Sequence, residues 1–361
     1  MNVYLEFWHW KVNQLIHDFS KPPGSFRKDP GQQIAKQFDM KAAVRTKYGL
    51  PGDLSIKELD VPTPKDDEVL IRVHATTVNR SDCHVLSGRP FFMRLLTGLF
   101  KPRARIIGSD FAGEIEAIGS AVRSFKAGDK IMGFGGALGC GAHAQYFILT
   151  EEKAIKMMIT MPSNITYDQA AACLEGAFYA AAQVNPLKPQ PGQKAMVYGA
   201  TGAIGSSYVQ FLKYYGVYVA AVCPGKHREL IHSLGADKVI DYLTEDFTKD
   251  SERYDFIFDA VGKSSFFKCK KLLKKKGGYT SSGGWINLFL LMITPLFGGR
   301  KVFFHFTVKI ATELNFIKEL IEKGSFTPVI DRKYPIEKIA EAYVYVASGQ
   351  KIGNVIITID S

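Results

Sequence analysis

Three small residues, spaced as Ala200-x-Gly202-x-x-Gly205, have the types and the spacing to hold a phosphate group. An apolar run at 194–197 precedes them and predicts a buried parallel strand, and helical periodicity follows until Gly216 can end the helix. Backbone N–H groups at such a helix start attract anions, because the helix dipole lies behind them. The pattern predicts a cradle for a dinucleotide pyrophosphate, although a glycine-rich turn alone also fits an ordinary loop.

The next predicted strand, at 217–223, closes a strand–helix–strand unit of the length that nucleotide-binding domains use. Enzymes that prefer NAD usually place Asp or Glu at the end of this strand, where the carboxylate binds the ribose 2′-hydroxyl. Here Cys223 is followed by Lys226 and Arg228 before the first acid, Glu229. This cationic turn favours NADPH, whose 2′-phosphate it suits, over NADH. The alternative is a solvated basic turn in a cationic protein.

Composition and cysteine usage predict a soluble protein of two domains. The 361 residues are 46% hydrophobic and 22% charged, which allows a sizeable core. The five cysteines are odd in number and lack Cys-x-x-Cys spacing, which predicts reduced thiols, a cytoplasmic location and no structural zinc. The most apolar run, at 288–297, is too short and too interrupted to predict a transmembrane segment.

The net charge of +11 raises the hypothesis of a nucleic-acid partner. The basic residues are dispersed, however, and their densest run, at 268–276, is predicted to lie on a surface helix. No nucleic-acid partner is therefore expected.

The chain divides by pattern into an extension, a β-rich part and an alternating part. Residues 1–39 combine aromatic, breaker and polar stretches without sustained periodicity, which predicts a poorly ordered extension. Short strands between glycine turns follow and predict a small β-barrel, and strands alternate with helices from about residue 164, which predicts a parallel sheet. A closing strand at 354–359 is expected to return to the first domain.

The order of these motifs resembles the medium-chain dehydrogenase/reductase superfamily, specifically its zinc-free quinone oxidoreductase branch. The resemblance runs from about Met40 to Ile359 and is carried by the cradle and by residues 78–82, 108–114, 128–130, 234–242, 259–262 and 353–355. It implies an α/β fold in which a Rossmann-type parallel-sheet nucleotide domain, 164–309, is inserted in a GroES-like β-barrel substrate domain, 40–163 and 310–361. The active site is then expected in the cleft between the two domains, and a homodimer is possible.

The resemblance also predicts metal-independent chemistry. Where the zinc-dependent alcohol dehydrogenases of this superfamily place Cys, His and Cys, this chain has Asn79, Ser109 and Leu174. An amide, a hydroxyl and an isobutyl group cannot hold catalytic zinc. Without a Lewis acid the substrate must already be electron-poor, which predicts NADPH-dependent reduction of quinones or α,β-unsaturated carbonyls.

Individual roles follow from the resemblance. Asn79 is expected to donate to the oxygen that becomes negative, or else to fix its loop, and it also lies where the cofactor is expected. His84 stands where the branch often has Tyr, and it is either a proton donor or a structural histidine. Asp82 and Asp110 are expected to be supporting hydrogen-bond acceptors. The expected cofactor contacts are Asn79, Thr201, Gly202, Ala203, Ile204, Gly205, Cys223, Lys226, Tyr242, Gly262 and Ser282.

An apolar loop edged with cations, at 91–102, falls between the motifs that contain Asn79 and Ser109. It is predicted to wall the substrate mouth, and core packing or a dimer contact is the alternative. Two rival functions remain open at this point. One is an enoyl-thioester reductase, and the other is a non-catalytic NADPH-binding regulatory or interaction protein.

Overall fold

The computed structural model describes residues 39–283, 285–297, 299–305, 307 and 309–359. The predicted extension, 1–39, lies outside them apart from Asp39, which begins the first strand. The strands of the described part are β1 (Asp39–Val44), β2 (Ser55–Asp60), β3 (Glu68–Val78), β4 (Asp110–Ile118), β5 (Lys130–Phe134), β6 (Tyr146–Thr150), β7 (Met158–Thr160), β8 (Lys194–Tyr198), β9 (Tyr218–Cys223), β10 (Lys238–Asp241), β11 (Tyr254–Asp259), β12 (Leu273–Ser281), β13 (Lys301–Val302), β14 (Ile330–Pro335) and β15 (Asn354–Thr358). The helices are α1 (Arg80–Ser87), α2 (Phe92–Thr97), α3 (Glu151–Met157), α4 (Tyr167–Ala172), α5 (Glu175–Val184), α6 (Ala203–Tyr214), α7 (Arg228–Ser233), α8 (Phe266–Cys269), α9 (Trp285–Ile293), α10 (Ile310–Glu322) and α11 (Ile339–Ala347).

One sheet of the described residues has six strands, all parallel, in the order β10-β9-β8-β11-β12-β13. Its central strands are continuous apolar runs because helices cover both faces, as is usual for parallel sheets. Val197 and Val219 pack on one face with Phe211 of α6. Met196 packs on the other face with Leu290 of α9. The predicted Rossmann-type parallel sheet is confirmed.

The other large sheet has the order β14-β15-β3-β4-β5-β7, and β6 also pairs with β3. All its pairs are antiparallel except β14 with β15. Helices α1 and α11 pack on this sheet through Leu86 and Tyr343. The closing strand, β15, pairs with β3 and so returns to the first sheet as expected. The predicted GroES-like part of the α/β fold is confirmed, and the exact division into domains stays a prediction.

The two sheets meet at the cradle. The Gly353 N–H, at the entry to β15, donates to Thr201 O at 2.7 Å. Helix α5 packs closely against α6 at Gly176. A Cβ added to Gly176 would lie only 2.7 Å from the Cβ of Ala203. The bond from Gly353 joins the two sheets, and the contact with Ala203 leaves no room for a side chain at Gly176.

The basic run at 268–276 does not lie on one surface helix, so that prediction was wrong. Helix α8 ends at Cys269, and residues 274–276 are exposed at the start of β12. The second half of β12 is buried in the parallel sheet and pairs with β11. Pairing within the sheet, rather than local helix preference, decides this segment.

None of the helices in the described ranges is long and apolar enough to cross a membrane.

Candidate functional site

The glycine turn after β8 leads directly into α6. Gly199 has a φ of +78°, a left-handed value that favours glycine. Gly205 lies so close to the turn that a Cβ there would be 2.8 Å from Ala200 Cα and would overlap Gly199 O. Gly202 precedes α6 without a side chain to cap it, which leaves the first N–H groups of the helix to an external acceptor. The predicted cradle residues Thr201, Gly202, Ala203, Ile204 and Gly205 therefore form a turn of the kind that binds anions.

The other predicted cofactor residues follow the carboxyl ends of neighbouring parallel strands. Cys223 ends β9 and Lys226 follows it, Tyr242 follows β10, Gly262 follows β11 and Ser282 follows β12. Because these strands and β8 are parallel neighbours, the five turns lie along one edge of the sheet. Ligands of open parallel sheets bind outside this edge.

An acid lies beside the basic turn. The strand register places Asp241 of β10 next to Cys223 of β9. The Asp241 carboxylate lies against Gly225, which begins the turn that carries Lys226. Its Oδ1 accepts the Leu243 N–H at 3.0 Å, which fixes the carboxylate at the strand end. The turn expected to bind a 2′-phosphate therefore has a negative neighbour that comes from the next strand.

Tyr242 is exposed and lines an open hollow of about 450 Å³ with Tyr198 and Phe247. The Tyr198 ring centroid lies 6.2 Å from that of Tyr242 and 5.1 Å from that of Phe247. Aromatic faces at such distances suit a flat heterocycle. This hollow lies beside the cofactor edge and does not include Asn79.

Asn79 lies at the junction of β3 and α1, where it is buried. Its side-chain amide donates to Thr77 Oγ1 and to Asp110 Oδ2, each at 2.8 Å. Its backbone N–H donates to Asp82 Oδ2, also at 2.8 Å. Both amide hydrogens of Asn79 therefore have an acceptor within the protein.

The carboxyl groups of Asp82, Asp110 and Glu175 surround that amide and form what we call the buried acid cluster. Glu175 Oε2 accepts the hydroxyl hydrogens of Ser81, at 2.7 Å, and Ser109, at 3.3 Å. The Glu175 N–H donates to Asp110 Oδ1 at 3.1 Å. Burial raises the pKa of all three carboxyl groups, and the charge of Glu175 raises the pKa values of the two aspartates further. The cluster therefore favours protonated carboxyl groups.

Lys351 connects the buried acid cluster to the cradle. Burial lowers the pKa of Lys351, while the nearby charges of Glu175 and Asp110 oppose that change. Its Nζ donates to Gly353 O at 2.8 Å, and Gly353 is the residue that bonds Thr201. The polar groups around Asn79 and the phosphate cradle are thus adjacent parts of one site.

Comparison with known proteins agrees with this architecture. Residues 65–159 match the family model of the alcohol dehydrogenase GroES-like domain, and residues 234–357 match that of a zinc-binding dehydrogenase. The NADPH-dependent alkenal/one oxidoreductase, chloroplastic, of Arabidopsis thaliana is 30% identical over 88% of this chain and 79% of its own length. The 2-methylene-furan-3-one reductase of Solanum lycopersicum is 30% identical over 90% of this chain and 80% of its own length. The chain belongs to the quinone oxidoreductase-like branch of the medium-chain dehydrogenase/reductase superfamily.

A solved structure shares this fold. The quinone oxidoreductase from Coxiella burnetii superposes with a TM-score of 0.79 and covers 90% of this chain and all of its own. At 22% identity that likeness shows the fold alone. Membership of the medium-chain dehydrogenase/reductase superfamily makes the chain an oxidoreductase and implies a nicotinamide cofactor. The uncapped helix start and the row of strand ends fit such a cofactor.

Zinc does not fit this medium-chain dehydrogenase/reductase, although the second matching model is named for it. Asn79 and Ser109 are both engaged with the buried acid cluster, and Leu174 is a buried apolar residue. An amide and a hydroxyl are poor zinc ligands, and a leucine supplies none. Within the described ranges no three His, Cys, Asp or Glu side chains are grouped to hold a metal ion.

His84 lies in α1, half-buried, with Nδ1 at 2.9 Å from Arg89 O. A carbonyl oxygen accepts, so Nδ1 carries a hydrogen and Nε2 of the neutral ring is an acceptor. Burial, with the charge of Arg80, lowers the pKa of His84. Donation from Nε2 therefore requires the imidazolium form, which this environment disfavours.

Two members of the site were not anticipated from the sequence. Glu175 is the only charged residue between Asp168 and Lys188. A single acid in so apolar a stretch could have indicated a buried functional residue. Nothing in the sequence indicated a buried role for Lys351, because a lysine in a turn with Gly and Gln is normally expected to be solvent-exposed. Both reach the site from positions far from Asn79 along the chain.

Proposed function

We propose that the chain is an NADPH-dependent, metal-independent reductase of quinones or α,β-unsaturated carbonyls. The printed names of the relatives from Arabidopsis thaliana and Solanum lycopersicum support this class of acceptor. The basic turn at Lys226 supports the choice of NADPH.

The observation that carries the proposal is the adjacency of cradle and buried acid cluster. Glu175 begins α5, and the next residue, Gly176, touches Ala203 at the start of α6. A dinucleotide bound with its pyrophosphate at α6 therefore has the hydrogen-bonding groups of Ser81 and Asn79 close by. When bound, the reduced nicotinamide supplies a hydride to the acceptor carbon.

Asn79 is proposed to orient the acceptor oxygen. Both of its amide hydrogens are engaged, so donation to a substrate requires that one be shared. The hydrogen that Asn79 donates to Thr77 is the one to share with a substrate. The Thr77 hydroxyl does not depend on it, because Thr77 still donates its own hydrogen to Asp110. Releasing Asp110 instead would leave a buried carboxyl group short of a donor, which is the more costly choice.

Ser81 and Glu175 are proposed to supply the proton. The oxygen that gains negative charge during reduction must be neutralised, and Ser81 Oγ is half-buried with a direct bond to Glu175. The raised pKa of Glu175 keeps a proton available at its carboxyl group. In its protonated form Glu175 donates its carboxyl hydrogen to Ser81 Oγ in place of the bond that it accepts in the structure, and Ser81 then donates its own hydroxyl hydrogen to the substrate oxygen.

The decisive experiment follows NADPH oxidation with a quinone, an alkyl enone and an enoyl-thioester, with and without a chelator. We expect turnover of the quinone or the enone and no loss after chelation. Turnover of the thioester alone would replace the proposal with an enoyl-thioester reductase. NADPH binding without turnover of any acceptor would favour the regulatory protein.

The choice of cofactor is tested at Lys226 and Asp241. Lys226→Ala should weaken the binding of NADPH by about tenfold, which corresponds to roughly 1–2 kcal/mol, and should leave the binding of NADH unchanged. Lys57 is exposed on β2 and supplies the control variant Lys57→Ala, which should change the affinity for neither NADPH nor NADH. Asp241→Asn should strengthen the binding of NADPH, because it removes a negative charge from beside the turn. If Asp241→Asn weakens NADH instead, the acid holds a ribose 2′-hydroxyl and the assignment of NADPH is wrong.

We also propose the division into a GroES-like part, 40–163 with 310–361, and a nucleotide part, 164–309. A reducing compartment such as the cytoplasm is proposed as well, since all five cysteines are free. The homodimer remains a hypothesis that a solution mass would test.

A further inference from the structure

Helix α2 and the residues that flank it expose large apolar side chains. Phe91 is 65% exposed, Leu95 62% and Phe100 91%. The polar Thr97 of the same helix is buried instead, and its Oγ1 lies 2.7 Å from the Tyr48 hydroxyl. An apolar patch that points to solvent from a firmly held segment marks an interaction surface.

The attachment of this segment keeps the apolar side chains pointing outward. The Tyr48 hydroxyl donates to Gly98 O at 2.6 Å, so both Thr97 and Gly98 are tied to it. Arg94 lies over the Tyr48 ring, 4.8 Å from its centroid, and its Nε donates to Gly88 O. The polar side of α2 is thus bonded to the protein, and the exposed side chains of Phe91, Leu95 and Phe100 are left to a partner.

The charged residues of this segment are all of one sign. Between residues 89 and 105 there are five Lys or Arg residues and no Asp or Glu. Arg89, Lys101, Arg103 and Arg105 are exposed, and none forms an ion pair with another residue that the structure describes. We call residues 89–105 the basic apolar segment.

We propose that the basic apolar segment docks the protein on an anionic phospholipid bilayer. Phe91, Leu95 and Phe100 enter the boundary between headgroups and acyl chains, and the cations around them contact lipid phosphates. Large apolar side chains ringed by cations, without a membrane-spanning helix, are the pattern of a protein that lies on a membrane surface.

Two other occupants fit the charge less well. A second copy would meet the segment with the same segment in a twofold contact, which brings like charges together. Residues 1–38 contain five Lys or Arg and only three Asp or Glu, so they do not supply the missing negative charge. An anionic lipid surface complements both the apolar and the cationic parts.

The segment begins where α1 ends, and Asn79 caps the other end of α1. An eight-residue helix is about 12 Å long, so the docking surface lies close to the site. A lipophilic acceptor dissolved in the bilayer would then enter without crossing water. The docking itself does not depend on the proposed function, because it requires neither cofactor nor substrate.

The test is flotation of the full chain with vesicles of phosphatidylcholine, alone or mixed with phosphatidylglycerol. We expect binding to the mixed vesicles, release at high salt and little binding to phosphatidylcholine. Leu95→Ser with Phe100→Ser should reduce binding at least tenfold, and Lys101→Ser with Arg103→Ser should do the same. Each variant is first checked for an unchanged melting temperature, and Phe100→Ser alone serves if the pair unfolds.

Leu296→Ser is the matched control. Leu296 is 80% exposed in an apolar stretch, 285–297, that contains no charged residue. Binding should survive this change. The proposal is overturned if mixed vesicles do not bind or if Leu296→Ser loses as much binding as the Leu95 and Phe100 pair. It is also overturned if light scattering finds a dimer that Phe100→Ser splits, or if removing residues 1–38 is required before any vesicle binds.

Discussion

Two glycines of the cradle distinguish ligand binding from folding: alanine at Gly202 should weaken binding alone, and alanine at Gly205 should weaken both binding and folding. Gly202 has φ −74° and ψ 170°, values that any residue adopts. A Cβ there would have Gly199 O as its nearest neighbour, at 3.7 Å, which is ordinary contact. Gly202→Ala should therefore fold, with a loss below about 1 kcal/mol for the poorer helix cap.

The same methyl group should obstruct the ligand. The N–H groups that follow Gly202 must come within hydrogen-bonding distance of a phosphate oxygen, and the second glycine of such a motif permits that approach. Losing one hydrogen bond to a charged group costs about 2 kcal/mol, which is roughly 30-fold in affinity. NADPH affinity should fall by about this factor, while the melting temperature falls by no more than about 2 °C.

Gly205→Ala should affect folding as well. Its Cβ would overlap Gly199 O and lie 2.8 Å from Ala200 Cα, so α6 must move away from the turn. Overpacking of this kind costs about 1–3 kcal/mol, which lowers the melting temperature of a chain of this size by about 1–4 °C. Both stability and NADPH affinity should fall.

The assay pairs a fluorescence titration of NADPH with a thermal melt, on both variants and the original chain. Unchanged NADPH affinity in Gly202→Ala would refute the placement of the pyrophosphate at this turn. An unchanged melting temperature in Gly205→Ala would show that α6 is not held as tightly against the turn as described.

Three further predictions concern the polar groups. Asn79→Ala should lower kcat by up to about 100-fold with an enone and about tenfold with a quinone, whose charge is better delocalised, and NADPH affinity measured separately should hold. Glu175→Gln should slow enone turnover and remove its decline at high pH; a pH profile identical to that of the original chain would contradict the proton path. His143 is fully buried with its pKa lowered to about 4, so its contribution to stability is complete above pH 6.5 and disappears as the pH falls towards 4. That contribution is about 3 kcal/mol, and denaturant unfolding should show a steeper loss between about pH 7 and pH 4.5 in the original chain than in His143→Gln.

Features set by neighbouring residues were predictable from the sequence. The cradle is one example, because Gly199 to Gly205 are contiguous and their spacing carries the turn. The return of β15 to the first sheet was expected from the pattern at the end of the chain, and it is confirmed by the pairing of β15 with β3.

Features that depend on packing between distant segments were not predictable. Glu175 reaches Ser81 across 94 positions, and no local pattern states that the two will be bonded. Asp241 comes beside Cys223 only through strand register. The lysines at 274–276 looked like part of a helix because the pairing of the flanking Leu273 and Gly278 with β11 is invisible in a local window.

The pairing of Val78 with Val355 has a consequence for how the protein is made. The parallel sheet consists entirely of residues between β8 and β13, so its strands leave the ribosome before β15 exists. Until then the part of β3 next to Asn79, Ala75–Val78, lacks its partner strand and presents an open edge. The half that contains the parallel sheet can therefore fold first, and the half that contains the antiparallel sheet is completed last. A substitution that slows the docking of β15 should lower the yield of folded protein in the cell even where the finished molecule is hardly less stable.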